Sequence, residues 1–377
     1  MIRIFFYFPA RQQLFSFKIS IISTPDINFV SSDCLLQWLS INSMMRAILL
    51  QGPNKFRLKQ VPIPKPAKGE VLIRMEAAPI NPSDIICLRG GIQNQYPLIP
   101  GFEGSGTVVE SGSGFLGWSL KGKRVACFTD VGNGTWSEYV VTSAKKCMQL
   151  PKDVSFEQGA CSFTNPIAAV IIMDTIKENS HKAIIQTAAA SSLGKMILRS
   201  CIKENIPVIN VVRRDEQAKS LKEIGAKYIV NSSSRNFEYE LKKHIDSLNA
   251  TAAFDCVGGE MTGNLINLLG KNSVVYVYGM LSQEKITEID PAELIFNRKK
   301  IEGLWTQEII KRKGVYYLIK VLKKIVKELS GTLKTDIANE FDLGEIDTAL
   351  NYYRDNPSAG KILLKPKMLT ENQNKNT

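Results

Sequence analysis

The sequence predicts an α/β protein in which a compact β-barrel-like domain accompanies an open, doubly wound parallel sheet. Three observations carry this. From Met45 to about Pro151 short strand-like stretches alternate with glycine-bearing turns. From Lys182 to Arg214 the chain reads strand, tight turn, helix, strand, a βαβ unit whose two strands must run parallel. Strand and helical stretches then alternate as far as Gly279, as they do when helices cover both faces of a sheet.

Residues 1–44 stand outside this pattern. They carry Arg3, Arg11 and Lys18 ahead of the first acid, Asp26, and are rich in Phe, Ile and Ser, a composition compatible with an organelle-targeting segment. A mis-assigned start is the equal alternative, because Met44-Met45-Arg46-Ala47-Ile48-Leu49 reads as the opening of a first strand. The expected location is cytoplasmic, or mitochondrial if residues 1–44 are a genuine presequence.

Residues 45–165 are expected to form the first part of the barrel domain, with strands at Gly69–Met75, Gly104–Glu110 and Lys121–Cys127. The loops Ala78–Asp84 and Tyr96–Gly104 hold most of the polar groups that a substrate could meet. Asn165-Pro166 opens a helix, since proline suits the first helical turn, and Asn165 is expected near the cofactor.

Residues 166–304 are expected to bind a dinucleotide. Lys182–Gln186 is apolar with β-branched members, suited to a strand buried on both faces. Thr187–Gly194 is a run of small residues, and such a turn lets a pyrophosphate approach backbone amides at a helix N-terminus. Against the G-x-G-x-x-G fingerprint, the first two glycines fall on Ala189 and Ser191, and the third survives as Gly194. A turn with no ligand therefore stays open beside the reading in which Ala188, Ser191, Ser192, Leu193 and Gly194 cradle phosphate. After the second strand, Pro207–Val212, the chain has Arg213-Arg214 where NAD enzymes usually place an acid. A guanidinium pairs with a 2′-phosphate that a carboxylate would repel, so NADPH is expected over NADH. Arg213 is the stronger candidate, because Asp215 and Glu216 stand ready to pair with Arg214. Further strands are expected at Ala226–Val230, Ala252–Val257 and Ser273–Tyr278, and ligands of such sheets bind beyond the carboxyl ends. Val257, Gly258, Tyr278 and Gly279 fall there as cofactor candidates, with ordinary turn glycines as the alternative.

Residues 305–367 are expected to return to the barrel domain through a basic helix and a closing strand, Gly360–Leu364, with Lys361 reaching the cofactor. Residues 368–377 are expected to be a disordered tail.

Composition narrows the function. With 44% hydrophobic and 22% charged residues, the chain is of ordinary globular composition. Its net charge of +12 arises from basic residues spread along the chain, and the cluster from Lys311 to Lys327 reads as a surface helix with an apolar face, so nucleic-acid binding is not expected. The seven cysteines stand singly, which argues against a disulfide framework and a structural zinc site. No apolar run reaches transmembrane length.

With these pieces placed, the chain from Met45 to about Lys367 resembles the medium-chain dehydrogenase/reductase superfamily, in its zinc-free branch of quinone oxidoreductases and 2-enoyl thioester reductases. The matching stretches are Asn81-Pro82-Ser83-Asp84, Pro100 to Gly106, Gly134 to Tyr139, Asn165-Pro166, Ala188 to Gly194 and Ser358 to Lys361. The resemblance implies a GroES-like barrel made from both chain ends, a Rossmann domain between them, an active site in the cleft, and a homodimer paired edge to edge through the Rossmann sheets. Zinc alcohol dehydrogenases carry a catalytic Cys where this chain has Asn81-Pro82 and a His where it has Phe102, so no metal is expected. The tyrosine used by the enoyl reductases aligns with Ile92, with Tyr96 nearby.

The expected activity is metal-free hydride transfer from NADPH to a quinone or enone; the alternatives are an enoyl thioester reductase of organellar fatty-acid synthesis and a non-catalytic NADPH-binding module. Asn81 is expected to contact substrate or nicotinamide, or else to form an Asx turn before Pro82. Asp84 orients the loop, relays a proton, or caps at the surface. Tyr96 donates a proton if it faces the cleft and packs otherwise. Trp305 walls the substrate pocket or sits in the core. His181 and His244 lie in no motif.

Overall fold

In the computed structural model, which describes residues 44–91, 95–356 and 358–367, β1 (Met44–Gly52) and β2 (Lys55–Pro62) form a two-stranded ribbon. The expectations for Ile92, for residues 1–43 and for the tail 368–377 lie outside the described residues. β3 (Glu70–Pro79) is the longest strand of the barrel half and runs on through Ala78 and Pro79, which the sequence reading put in the loop. α1 (Pro82–Leu88) begins one residue after Asn81, with Pro82 in its first turn where no backbone donor is needed. β4 (Glu103–Ser111), α2 (Phe115–Leu120), β5 (Arg124–Phe128), β6 (Tyr139–Ser143) and β7 (Cys147–Gln149) follow. β3, β4, β5 and β7 pair antiparallel in succession, and β6 pairs β3.

Two helices, α3 (Phe156–Ala160) and α4 (Thr164–Glu178), lead out of the barrel. The chain then alternates β8 (Ile184–Gln186), α5 (Ser192–Lys203), β9 (Val208–Val212), α6 (Asp215–Ile224), β10 (Tyr228–Asn231), α7 (Phe237–Leu248), β11 (Ala252–Asp255), α8 (Glu260–Leu268), β12 (Val274–Val277), α9 (Pro291–Ile295) and β13 (Lys300–Gly303). These strands form one parallel sheet in the order β10-β9-β8-β11-β12-β13. The order reverses beside β8, and a crevice opens at such a switch point beyond the carboxyl ends. One face is packed by α4 and α5 through Ile171, Ile172, Met196 and Ile197, the other by α7 and α8 through Leu241, Ile245, Leu265 and Ile266. Burial on both faces is why β8 and β9 read as unbroken apolar runs.

α10 (Thr306–Glu328) carries the basic cluster. Its apolar face, including Val321 and Ile325, joins the core of the parallel-sheet half against α4, so the basic helix through which the chain was expected to return to the barrel covers that sheet. Gly314, at φ 80° and ψ −179°, breaks it into two helical pieces. The return comes after it. β14 (Ile337–Phe341), α11 (Ile346–Asp355) and β15 (Lys361–Leu364) complete the seven-stranded sheet, with β15 antiparallel to β3 through Leu363↔Pro79 and Leu364↔Ala78. Arg46 ties the two chain ends together by ion pairs to Glu138 at 2.8 Å and Asp342 at 2.9 Å.

Candidate active site and cofactor cradle

Two groups of residues gather the candidates from the sequence: the turn from β8 into α5 on the parallel sheet, a candidate phosphate cradle, and a buried polar cluster on the barrel.

The cradle is built by the turn from β8 into α5. Ser191 caps the helix, its Oγ accepting from Gly194 N at 3.1 Å, and this leaves the first-turn amides of Ser192 and Leu193 at the mouth of the crevice. A Cβ on Gly194 would lie 2.4 Å from the carbonyl oxygen of Ala189, so helix and turn approach as closely as they do only because this residue has no side chain. Ala188 holds φ at +45°, a left-handed conformation that glycine adopts without cost. Ala188, one residue before the degraded fingerprint, thus carries backbone strain where the turn begins.

At the end of β9, Arg213 and Arg214 are exposed, and neither guanidinium has an ion pair among the described residues. Their backbone amides donate to Gln217 Oε1 at 3.0 and 3.2 Å, and Gln217 Nε2 donates to Ser358 Oγ at 2.5 Å. The turn is thus held by the returning segment while both guanidinium groups stay available. Asp215, the acid set against Arg214 in the sequence reading, instead accepts from Asn231 at 2.7 Å.

The carboxyl ends of β11 and β12 are organised by Asp255, fully buried and not anticipated from the sequence. Its carboxylate accepts from Thr187 Oγ1 at 2.7 Å, Thr262 Oγ1 at 2.6 Å, Val257 N at 2.9 Å and Gly258 N at 3.2 Å. The backbone of Val257 and Gly258 is thereby fixed. A Cβ on Gly279 would meet the Cys256 carbonyl oxygen at 2.8 Å. Burial pushes the Cys256 thiol up to about 11, and it pushes the Tyr278 phenol up as well. Tyr278 Oη is enclosed beside the Cys256 thiol, the group that acts with burial on its titration.

The barrel cluster centres on Glu103. Its Oε1 accepts from Asn81 Nδ2 at 2.9 Å, and its Oε2 accepts from Phe163 N at 2.9 Å and Thr164 N at 3.0 Å, the backbone donors where α4 begins. A carboxylate at a helix N-terminus is favoured by the helix dipole. Asn81 Oδ1 in turn accepts from Lys361 Nζ. Asp84 accepts from Asn81 N at 2.8 Å and Phe102 N at 3.2 Å, joining the two loops that hold the barrel's polar groups. Burial, with the Glu103 charge adding to it, pushes the Asp84 carboxyl up to about 7 against the opposing backbone donors and Lys361. Asn165 is half-buried in the first turn of α4.

These positions bear on five of the expected site residues. Asn81 is 0% exposed and its amide is spent on Glu103 and Lys361, so it fixes the loop from within; it presents nothing to a substrate. Lys361, expected at the cofactor, is 6% exposed and neutralises this same cluster. Asp84 is no surface cap, at 0% exposure. Tyr96 packs into an apolar cluster with Leu88 and Leu98, its Oη 3.2 Å from where Gly90 would carry a Cβ, which is the packing alternative to a proton donor. Trp305, at 65% exposure, is no core residue.

Comparison with known proteins agrees with this architecture. The family profile for the alcohol dehydrogenase GroES-like domain matches residues 67–152, and that for zinc-binding dehydrogenases matches residues 192–324. The mitochondrial enoyl-[acyl-carrier-protein] reductase of Xenopus tropicalis is 31% identical over 260 residues, covering 67% of this chain and 73% of that one. The chain belongs to the medium-chain dehydrogenase/reductase superfamily. The Arabidopsis thaliana reductase of the same name is 30% identical over 259 residues, 67% of this chain and 68% of its own. A crystal structure from Mesorhizobium loti, provisionally named an NADPH:quinone reductase, superposes with a TM-score of 0.79 at 31% identity, covering 86% of this chain and 99% of that one. Although one matching profile bears the name of zinc-binding enzymes, among the described residues no group of three His, Cys, Asp or Glu side chains is placed to hold a metal ion. The described residues do not fit zinc.

Proposed function

We infer that the protein is a zinc-independent, NADPH-dependent oxidoreductase that transfers hydride to a quinone or another α,β-unsaturated carbonyl compound. One observation carries the cofactor reading: exposed Arg213, without an ion pair among the described residues, stands at the end of β9 beside the open N-terminus of α5. The close approach of α5 to its turn at Gly194 fits a dinucleotide in the same crevice. The names of the relatives support the reaction class.

Ser192 and Leu193 would hold the pyrophosphate through first-turn amides, and the Arg213 guanidinium would pair with the 2′-phosphate. Val257, Gly258 and Gly279 offer backbone at the strand ends for the nicotinamide half. NADPH, when bound, supplies the hydride. The acceptor is electron-poor already, so the chain's part is alignment and exclusion of water, with one proton from solvent completing the two-electron reduction. The Asn81–Glu103–Lys361 cluster acts from behind, holding the loop and the start of α4 in register.

The test is NADPH oxidation by purified protein against 1,4-benzoquinone, crotonyl thioester and a simple aldehyde, with and without EDTA. Turnover of quinone or enone that is indifferent to EDTA is the expected result. EDTA-sensitive aldehyde reduction would refute the reading, and NADPH binding with no turnover would indicate a binding module.

A second reading, reduction of an enoyl thioester on an acidic carrier, draws on the names of the first relatives and on the lysine face of α10. A higher kcat/KM for carrier-bound crotonate than for free quinone would select it. A mitochondrial location accompanies it, supported by the acid-poor, basic start of the sequence and tested by fractionation and intact mass of the native protein. We also propose a homodimer through β13, one of the two edge strands of the parallel sheet, flanked by exposed Met280, Leu281, Ile295 and Phe296. A monomer by light scattering at micromolar concentration would remove that proposal.

A further inference from the structure

Far along the chain from the cofactor crevice, α2 turns its apolar side chains outward. Phe115 is 81% exposed, Leu116 46% and Trp118 69%, while Gly117 and Leu120 face the barrel. The rings of Phe115 and Trp118 lie 6.2 Å apart, so the two aromatics form one apolar tip. Exposed lysines surround it. Lys121 and Lys123 follow the helix directly, Lys145 sits on the short 3-10 turn at 144–146 that packs against α2, and Lys68 lies in the turn whose Gly69 N donates to Ser113 O. None of these four has an ion pair among the described residues. The acid of the adjoining turn, Glu70, has its carboxylate on Ala67 N at 2.9 Å.

We propose that α2 is a membrane-surface anchor: Phe115, Leu116 and Trp118 enter the headgroup layer of an anionic bilayer while Lys121, Lys123 and Lys145 pair with its lipid phosphates. The composition decides for lipid. Trp and Phe beside uncompensated lysines suit the polar–apolar boundary and the negative surface potential of such a leaflet together. A protein partner fits worse, since three side chains on a single convex helical turn offer no groove and much less area than a stable interface needs, about 800 Å² a side. Held there, an enzyme gains access to acceptors dissolved in the membrane without crossing it. The inference does not depend on the acceptor, or on the protein being an enzyme.

The test is sedimentation of the full chain with phosphatidylcholine vesicles, with and without phosphatidylserine. Binding to the anionic vesicles is expected, weakened by salt. Phe115→Ser with Trp118→Ser should reduce partition at least about tenfold, and Lys121→Glu with Lys123→Glu should do the same while leaving the apolar tip intact. All four positions are exposed, so the melting temperature should hold and so should turnover of a water-soluble quinone. In protein carrying Trp38→Phe and Trp305→Phe, the remaining tryptophans are Trp118 and buried Trp136, and brominated acyl chains should quench Trp118. Absence of anionic binding, or binding without that quenching, would overturn the proposal. A concentration-dependent blue shift of Trp118 without lipid would overturn it too, by assigning the tip to a second copy of the chain.

Discussion

Asn81 Nδ2 donates to Glu103 Oε1 at 2.9 Å, and the opposite oxygen of that carboxylate receives the first backbone amides of α4. One side chain therefore couples the loop expected to carry chemistry to the helix that leads into the nucleotide-binding half. Glu103→Gln exchanges a carboxylate for an amide whose NH2 meets donors on one side, and leaves Lys361 buried without its counter-charge. A loss of about 3 kcal/mol is expected, read as a lower urea midpoint with the m-value unchanged. A midpoint within error of the parent would show that the cluster carries no such weight.

Arg213→Asp replaces the proposed partner of the 2′-phosphate with a repelling charge. KM for NADPH should rise at least about tenfold, since charge-assisted hydrogen bonds contribute about 1.5–3 kcal/mol, while KM for NADH stays level or falls. Equal loss with both cofactors would move the phosphate site elsewhere, and Arg214→Asp run alongside identifies which arginine is used.

The sequence made the nucleotide half legible because its signals are local. Two apolar β-branched runs flank a turn of small residues that closes on Gly194, with Ala188 at positive φ where the turn begins. The barrel cluster is not local. Lys361 and Asn81 stand 280 residues apart and meet only because β15 pairs with β3, a register that no spacing announces. Trp305 misleads for another reason: hydrophobicity argues for enclosure, yet the residue caps the start of α10 and is 65% exposed. The apolar face of α10 was legible too, but periodicity marks a face without naming the core it joins.

The strain at Ala188 makes a prediction of opposite sign at two neighbouring positions. Ala188→Gly removes a left-handed alanine, worth about 1–2 kcal/mol, and adds unfolded-state entropy worth somewhat less, so a small gain in stability is expected, about 0.5–1 kcal/mol. Gly194→Ala places a methyl 2.4 Å from the Ala189 carbonyl oxygen, and backbone must shift to admit it. A loss of about 1–3 kcal/mol and weaker NADPH binding are expected there. Calorimetry of the two variants checks both; stabilisation by Gly194→Ala would contradict the close approach of α5 to its turn.

Asp84 gives a pH dependence with a definite sign. Its carboxyl is pushed up to about 7 by burial, with Glu103 adding and the donors Asn81 N and Phe102 N and the Lys361 charge opposing. In the unfolded chain it titrates near 3.9. The folded state therefore binds its proton more tightly than the unfolded state does. The stability this confers is fully present below about pH 4, falls as pH rises through the interval, and is gone above about pH 7, with an upper bound of about 4 kcal/mol. Asp84→Asn retains the shape and an oxygen acceptor but cannot ionise. Urea midpoints at about pH 5 and about pH 8 should differ less in this variant than in the parent, mainly because the variant loses less stability at the higher pH. An unchanged difference would mean that Asp84 is ionised throughout, with Lys361 rather than burial setting its charge.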